Sequence, residues 1–200
     1  MLLLYIRHGL PGDRQNGKRN TAHSPLVREG RLQLQATGAW LRDRGIWPDA
    51  IACSELPRAR DSALEVADVM GFSRHRIVVA PQLNERDAGQ AKGLSEREIC
   101  RRWPNGFDYV PGAETARGLQ DRAADAAAML SGLRSCSGQP ARVVLAVGHG
   151  VHCRALARHY SGLPYSAEYV REHRHSLALY FGGVMRMYPS PVTTLRLGAA

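Results

Sequence analysis

The sequence predicts an α/β fold, a sheet carrying helices on both faces, and three observations carry that prediction. Short continuous apolar runs alternate with longer segments whose apolar residues recur near helical spacing. Glycines stand where two of the longer segments stop, at Gly45 and Gly71. The short runs are apolar throughout rather than alternating, which suits strands covered on both sides.

Residues 2–6 read as the first of these strands. After a polar loop, residues 30–44 place Leu32, Ala36, Ala39, Trp40 and Leu41 near helical spacing. Residues 50–53 form a second strand candidate. Residues 56–70 form a second helix with Ala59, Ala63, Val66, Ala67 and Met70 on one face. A third strand is expected over 77–80. Ser95 with Glu98 has the pattern of a capping box opening a short helix. The Ala-rich stretch 116–133 is a long helix, 142–147 a fourth strand and 151–160 a further helix. Residues 177–181 and 184–188, separated by Gly182 and Gly183, read as a hairpin or two edge strands.

Composition narrows the function classes. Two hundred residues with 44% apolar content support one good core, so a single domain over 1–200 is expected. The net charge of +9 favours anionic partners, and its 27 basic residues, nearly all Arg, are dispersed rather than run together. Guanidinium forks match phosphate and carboxylate geometry, so phosphorylated small molecules fit this charge well. Aromatic residues make up only 6% and are not interleaved with basic ones, which argues against nucleic acid as the partner. Cys53, Cys100, Cys136 and Cys153 form no CxxC pair, and residues 2–6 are too short for a signal core or a membrane span. The expectation is a soluble, cytoplasmic, reduced protein with no membrane partner.

Polar residues cluster by topology. In an open α/β sheet the binding crevice lies beyond the carboxyl ends of the strands. Arg7 and His8 follow the first strand, His149 and Gly150 follow the fourth, and Arg58 stands at the entrance to the helix after the second. Each has a plain reading by itself: a lone His at a strand end is usually structural, and an Arg at a helix start is usually solvated. Their coincidence at three strand ends makes a cluster suited to a dianion.

These residues sit in "YIRHG" (5–9), "PLVREGRLQLQATGAWL" (25–41), "CSELPRARDSALEVA" (53–67), "LNERDAGQAKGLSEREI" (83–99), "PGAETARGLQDRA" (111–123) and "VVLAVGHGVHCRAL" (143–156). The ordered set resembles the histidine phosphatase superfamily, also called the phosphoglycerate mutase-like family. The resemblance implies a three-layer α/β/α sandwich with a mostly parallel central sheet, and phosphoryl transfer through a phosphohistidine. By matching motifs His8 would be the nucleophile, and Arg7, Arg58 and His149 would surround the phosphoryl oxygens. Glu85 would give the leaving group its proton. Its plain alternative is a surface charge paired with Arg86.

A neutral imidazole is a competent nucleophile, and charge developing on equatorial oxygens needs fixed cations and N–H donors. Such a site supplies its own positive charge, so no metal or cofactor is expected. Gly9 is expected to admit the phosphate closely, and Gly150 to line the same pocket.

The departures from the family concern the mouth. Leu10, Pro11 and Gly12 follow the RHG triplet where polar residues are common, and Arg14 stands where an Asn often binds phosphate. Arg14 and Asn16 are therefore candidate substrate-binding residues. Ser24, preceded by His23, replaces a common Asp. The mutase-type Arg-Arg-Ser-Tyr stretch is not evident, and Val151 follows the second HG, so hydrolysis of a small phosphomonoester is favoured over mutase activity.

Three rival readings stay open: a phosphoglycerate mutase-type transferase, a catalytically silent phospho-ligand-binding protein of this fold, and a zinc site drawn from His149, His152, Cys153 and the His173–His175 stretch. A homodimer is also left open.

Overall fold

The computed structural model describes residues 1–15, 21–161, 176–181 and 184–189, with side chains described for 1–13 and 21–160. Strand β1 (Leu2–Arg7) leads through the short helix α1 (Gly12–Gln15) to α2 (Arg28–Asp43) and β2 (Ala50–Cys53). Helix α3 (Pro57–Val69) precedes β3 (Val78–Val79), and α4 (Glu96–Arg102) and α5 (Ala116–Ser131) precede β4 (Val143–Gly148). Helix α6 (Gly150–Ser161) follows, and β5 (Ser176–Phe181) and β6 (Val184–Pro189) complete the described elements.

The sheet runs β3-β2-β4-β1-β5-β6. Strands β3, β2, β4 and β1 are mutually parallel, whereas β5 runs antiparallel to β1 and β6 antiparallel to β5. This is the mostly parallel α/β sheet that the resemblance implies, and the hairpin expected near the carboxyl terminus is the β5–β6 pair.

Alternation along each strand divides the core into two. Leu3, Tyr5, Ala52, Val144 and Ala146 pack with Leu130 of α5 and Leu156 of α6. Leu4, Ile6, Ile51, Leu145 and Val147 pack on the other side with Leu34 and Leu41 of α2 and Ala63 and Val66 of α3. Three layers result, and β1 and β4 carry apolar residues on both faces because both faces are covered.

Helix starts and stops follow ordinary chemistry. Pro57 opens α3, where its missing N–H costs nothing. Ser95 and Glu98 form the capping box at α4, and the Thr115 hydroxyl accepts from Gly118 N–H at α5.

Two expectations are corrected. The third strand spans only Val78–Val79, with both residues exposed. Among the described residues it pairs on one side alone, with β2, and Pro81 follows closely. On α2 the buried face is Gly30, Leu34, Thr37, Gly38 and Leu41, while Leu32 is 53% exposed. Small residues, not the apolar stripe, mark that face: a Cβ on Gly38 would come within 3.1 Å of Val69 Cβ on α3.

Candidate active site

The strand register brings the candidate residues together. Arg7 stands opposite Gly148 across the β1–β4 pair, and Cys53 opposite Val147 across β2–β4. His8 N–H continues the ladder to the Gly148 carbonyl at 2.9 Å, and Ser54 N–H does the same to Val147 at 3.0 Å. Three strands thus end level, and Arg7, His8, Ser54 and His149 emerge at one edge of the sheet. The centres of the His8 and His149 rings are 5.1 Å apart.

His8 is 6% exposed, and its Nδ1 lies 2.7 Å from the Gly9 carbonyl oxygen. A carbonyl only accepts, so Nδ1 carries the hydrogen and the ring lone pair of the neutral form is on Nε2. Gly9 N–H donates to Ser62 Oγ at 3.1 Å, and Ser62 donates to the Arg58 carbonyl at 2.6 Å, which ties this loop to α3.

Packing by itself is enough to require glycine at position 9. A Cβ there would stand 2.3 Å from the Gly30 carbonyl oxygen and 2.5 Å from Leu34 Cδ2. The close approach that requires glycine is made by α2. Gly150 lies instead under Arg7, where a Cβ would sit 3.5 Å from the guanidinium carbon.

Arg58, at the start of α3, is only 2% exposed, and its Nη1 donates to the Thr21 carbonyl at 2.8 Å. A guanidinium so buried is not a solvated surface group. His149 is fully buried, with Nε2 2.8 Å from Ser54 Oγ. Burial, with the neighbouring His8 ring and the Arg58 guanidinium behind it, holds the His149 imidazole well below its usual range.

Glu85 is half-buried and faces the amino end of α6. Its Oε1 accepts from His152 N–H at 3.2 Å and from Arg86 N–H at 3.0 Å, and its Oε2 accepts from Val151 N–H at 3.3 Å. The alternative pairing with the Arg86 side chain is not seen: that guanidinium bonds Asp108 and the Glu114 carbonyl, over the Phe107 ring. Arg122 fastens the preceding segment, gripping Glu114 with two prongs and donating to the Gln82 and Asn84 carbonyls at 2.9 and 2.7 Å. Asn84, Glu85, Arg58, Glu55 and Thr21 line a cleft of about 570 Å³.

The remaining candidates are placed differently. Asn16 lies outside the described residues, and of Arg14 only the backbone, in α1, is described. Ser24 is buried, bonding Asp13 and Thr21, so it ties the residues ahead of α2 to α1. His152 bonds Tyr5 OH through Nδ1 at 3.1 Å, and burial pushes it down to about 3. Tyr5 OH in turn accepts from His149 N–H at 2.9 Å, which holds the β4–α6 turn. His149 and His152 therefore serve different neighbours, and His173–His175 lie outside the described residues. Among the described residues no group of three or more His, Cys, Asp or Glu is placed to hold a metal ion.

Sequence reasoning missed Ser54, Asn84, Ser62 and Arg122. Only "CSELPR" and "LNER" hinted at two of them, by lying beside Arg58 and Glu85.

Residues 3–180 match the sequence profile of the histidine phosphatase superfamily (branch 1). The chain belongs to that superfamily. It is 30% identical over 159 residues to the uncharacterized phosphatase PhoE of Bacillus subtilis (strain 168), covering 78% of this chain and 76% of the relative. It is also 30% identical over 172 residues to a 2,3-bisphosphoglycerate-dependent phosphoglycerate mutase of Methylobacterium radiotolerans, covering 81% and 80%. The solved structure of a putative alpha-ribazole-5'-P phosphatase from Escherichia coli K-12 shares the fold, with a TM-score of 0.73 at 22% identity, covering 95% of each chain. Membership of the superfamily makes this an enzyme of phosphatase or mutase type. No helix among the described residues is long and apolar enough to cross a membrane.

Proposed function

We propose that the protein is a metal-independent phosphomonoesterase acting on a small phosphorylated metabolite through a phosphohistidine at His8. The observation that carries this reading is the hydrogen bond from His8 Nδ1 to the Gly9 carbonyl at 2.7 Å, which leaves the lone pair of the neutral ring on Nε2, the atom proposed to attack phosphorus.

In the first half, Nε2 forms a bond to phosphorus as the bond to the ester oxygen breaks. Arg7 and Arg58 offset charge on the equatorial oxygens. Glu85 must carry a proton at that moment and passes it to the departing alkoxide. Oε2, with a single amide at 3.3 Å, is the oxygen with room for that proton. In the second half water attacks phosphorus, Glu85 recovers a proton from it, and the P–N bond breaks. Arg14 and Asn16 are proposed to touch the alcohol part of the substrate. A membrane or nucleic-acid partner is not required.

The mutase relative supports a second reading, in which a bound phosphoglycerate, not water, receives the phosphoryl group. A screen of phosphorylated sugars, glycerates, nucleotides and aryl phosphates separates the two. Release of inorganic phosphate with no interconversion of 2- and 3-phosphoglycerate is expected; rapid interconversion with little release would reverse the assignment.

A further inference from the structure

Beneath His149 lies a chain of side chains that the proposed reaction does not use. Asn84 Nδ2 donates to Glu55 Oε1 at 2.7 Å, and a carboxylate only accepts, so the amide orientation is set. Asn84 Oδ1 therefore faces Glu55 N–H at 3.2 Å and Ser54 Oγ at 2.7 Å. Since Oδ1 cannot donate, the single hydroxyl hydrogen of Ser54 goes to it. With that hydrogen committed, Ser54 Oγ accepts from Leu56 N–H at 3.1 Å and from His149 Nε2 at 2.8 Å. His149 thus carries its hydrogen on Nε2, and Ser54 is fully buried, so water does not offer an alternative partner.

The other nitrogen, Nδ1, is buried and finds no hydrogen-bond partner among the described residues. We propose that Ser54 and Asn84 are positioning residues that hold His149 as the Nε2–H tautomer, so that a phosphoryl dianion entering beside His8 binds together with one proton, which lodges on His149 Nδ1. The inference rests on the phosphatase reading only for where the phosphoryl group sits.

The groups facing His149 favour this coupling. Arg7 and His8 face it from β1 and its end, Arg58 from α3 and His152 from α6, and the two guanidinium charges lower the affinity of the empty pocket for a further positive charge. Glu85, on the α6 side, is engaged with the amides of Val151 and His152. An anionic oxygen meeting a nitrogen lone pair is repelled, whereas a proton between them makes a charge-assisted hydrogen bond. The balance is simple: the dianion and one proton from solvent enter, His149 goes from neutral to +1, and no covalent bond to phosphorus changes.

The test uses the full chain with 15N-labelled histidine. Imidazole 15N–1H correlation at pH 8 is expected to show His149 with hydrogen on Nε2 and none on Nδ1, and inorganic phosphate is expected to add a proton at Nδ1. Calorimetry of phosphate binding in buffers of different ionisation enthalpy should show uptake of about one proton. Because a proton is taken up, Kd should weaken about tenfold per pH unit between pH 8 and 9.

Asn84→Ala releases the Ser54 hydroxyl to turn toward Nε2. It should shift the ring to the Nδ1–H form and bring proton uptake towards zero, with circular dichroism showing the fold retained. Ser54→Thr, which keeps the hydroxyl, should keep the wild-type pattern. An Nδ1–H ring in the free protein, an unchanged ring in a folded Asn84→Ala, or phosphate binding without proton uptake overturns the inference. Should Asn84→Ala not fold, the wild-type ring and proton count decide. Failure of phosphate to bind at all counts against the phosphatase reading, and the ring pattern of the free protein then decides this inference alone.

Discussion

Nδ1 of His8 lies 2.7 Å from the carbonyl oxygen of the residue that follows it, Gly9, so the chain's own backbone fixes which ring nitrogen keeps the lone pair of the neutral imidazole. The bond is local, yet its geometry depends on distant groups. Gly9 N–H is held by Ser62 on α3, and the Gly9 Cα is pressed against Gly30 on α2. Two helices thus aim one imidazole.

His8→Ala removes the proposed nucleophile while leaving the β1 ladder intact. Turnover of an aryl phosphate should fall by roughly a thousandfold or more, the scale on which loss of a nucleophile is felt elsewhere. Wild type quenched during turnover should carry an acid-labile, alkali-stable phosphoryl adduct on His8, mapped by peptide mass spectrometry. Undiminished turnover in the variant would sink the assignment.

Gly9→Ala tests the packing explanation of the RHG glycine. A methyl 2.3 Å from the Gly30 carbonyl cannot be accommodated without moving α2, because the obstacle is backbone. Overpacking of this kind costs about 1–3 kcal/mol, so the urea midpoint should fall. Gly150→Ala, whose Cβ would meet Arg7 at 3.5 Å, should cost much less stability. Equal stability losses would mean that the two glycines are kept for a common reason.

The sequence made Arg7, His8, Arg58 and His149 legible because each lies at a strand end or helix entrance, where topology alone concentrates polar groups, whereas Glu85, in a loop, was legible only through the family resemblance of its motif. The supporting residues were not legible for a physical reason. Ser54 and Asn84 meet only once β2, β4 and the loop before Glu85 come into register, and a Ser and an Asn in loops carry no periodic signal. Likewise the buried face of α2 was misread at Leu32, because Gly30, Thr37 and Gly38 are buried for their small size rather than their hydropathy. The capping box at Ser95 and Glu98, by contrast, needs only local geometry, and it formed as expected.

Two buried imidazoles make stability depend on acid. His152 is pushed down to about 3, and His149 well below 6.5, whereas in the unfolded chain both take up a proton near the ordinary value of about 6.5. The unfolded state therefore binds more protons below about pH 6.5, so their contribution is complete above that pH and is lost as pH falls toward 3. Each group costs about 1.4 kcal/mol per pH unit within the window. Urea midpoints should fall between pH 7.5 and 5.5, and His152→Gln should show a shallower fall than wild type. A flat midpoint across that range would contradict the buried, neutral state of both rings.

Glu85→Gln isolates the proton from the carboxyl shape. The amide oxygen can still accept from one of the two N–H groups that the carboxylate holds, Val151 or His152, so the amino end of α6 keeps a partner, but it has no proton to give at neutral pH. Poor leaving groups such as alkyl alcohols need that proton in the transition state, whereas nitrophenolate departs almost without it. The loss in kcat/KM should reach about 10²–10⁴-fold for an alkyl phosphate and stay within about tenfold for p-nitrophenyl phosphate. A plot of log(kcat/KM) against leaving-group pKa should accordingly steepen in the variant. Parallel lines for the two proteins would assign Glu85 to holding the amino end of α6 and leave the proton donor to be found elsewhere in the cleft.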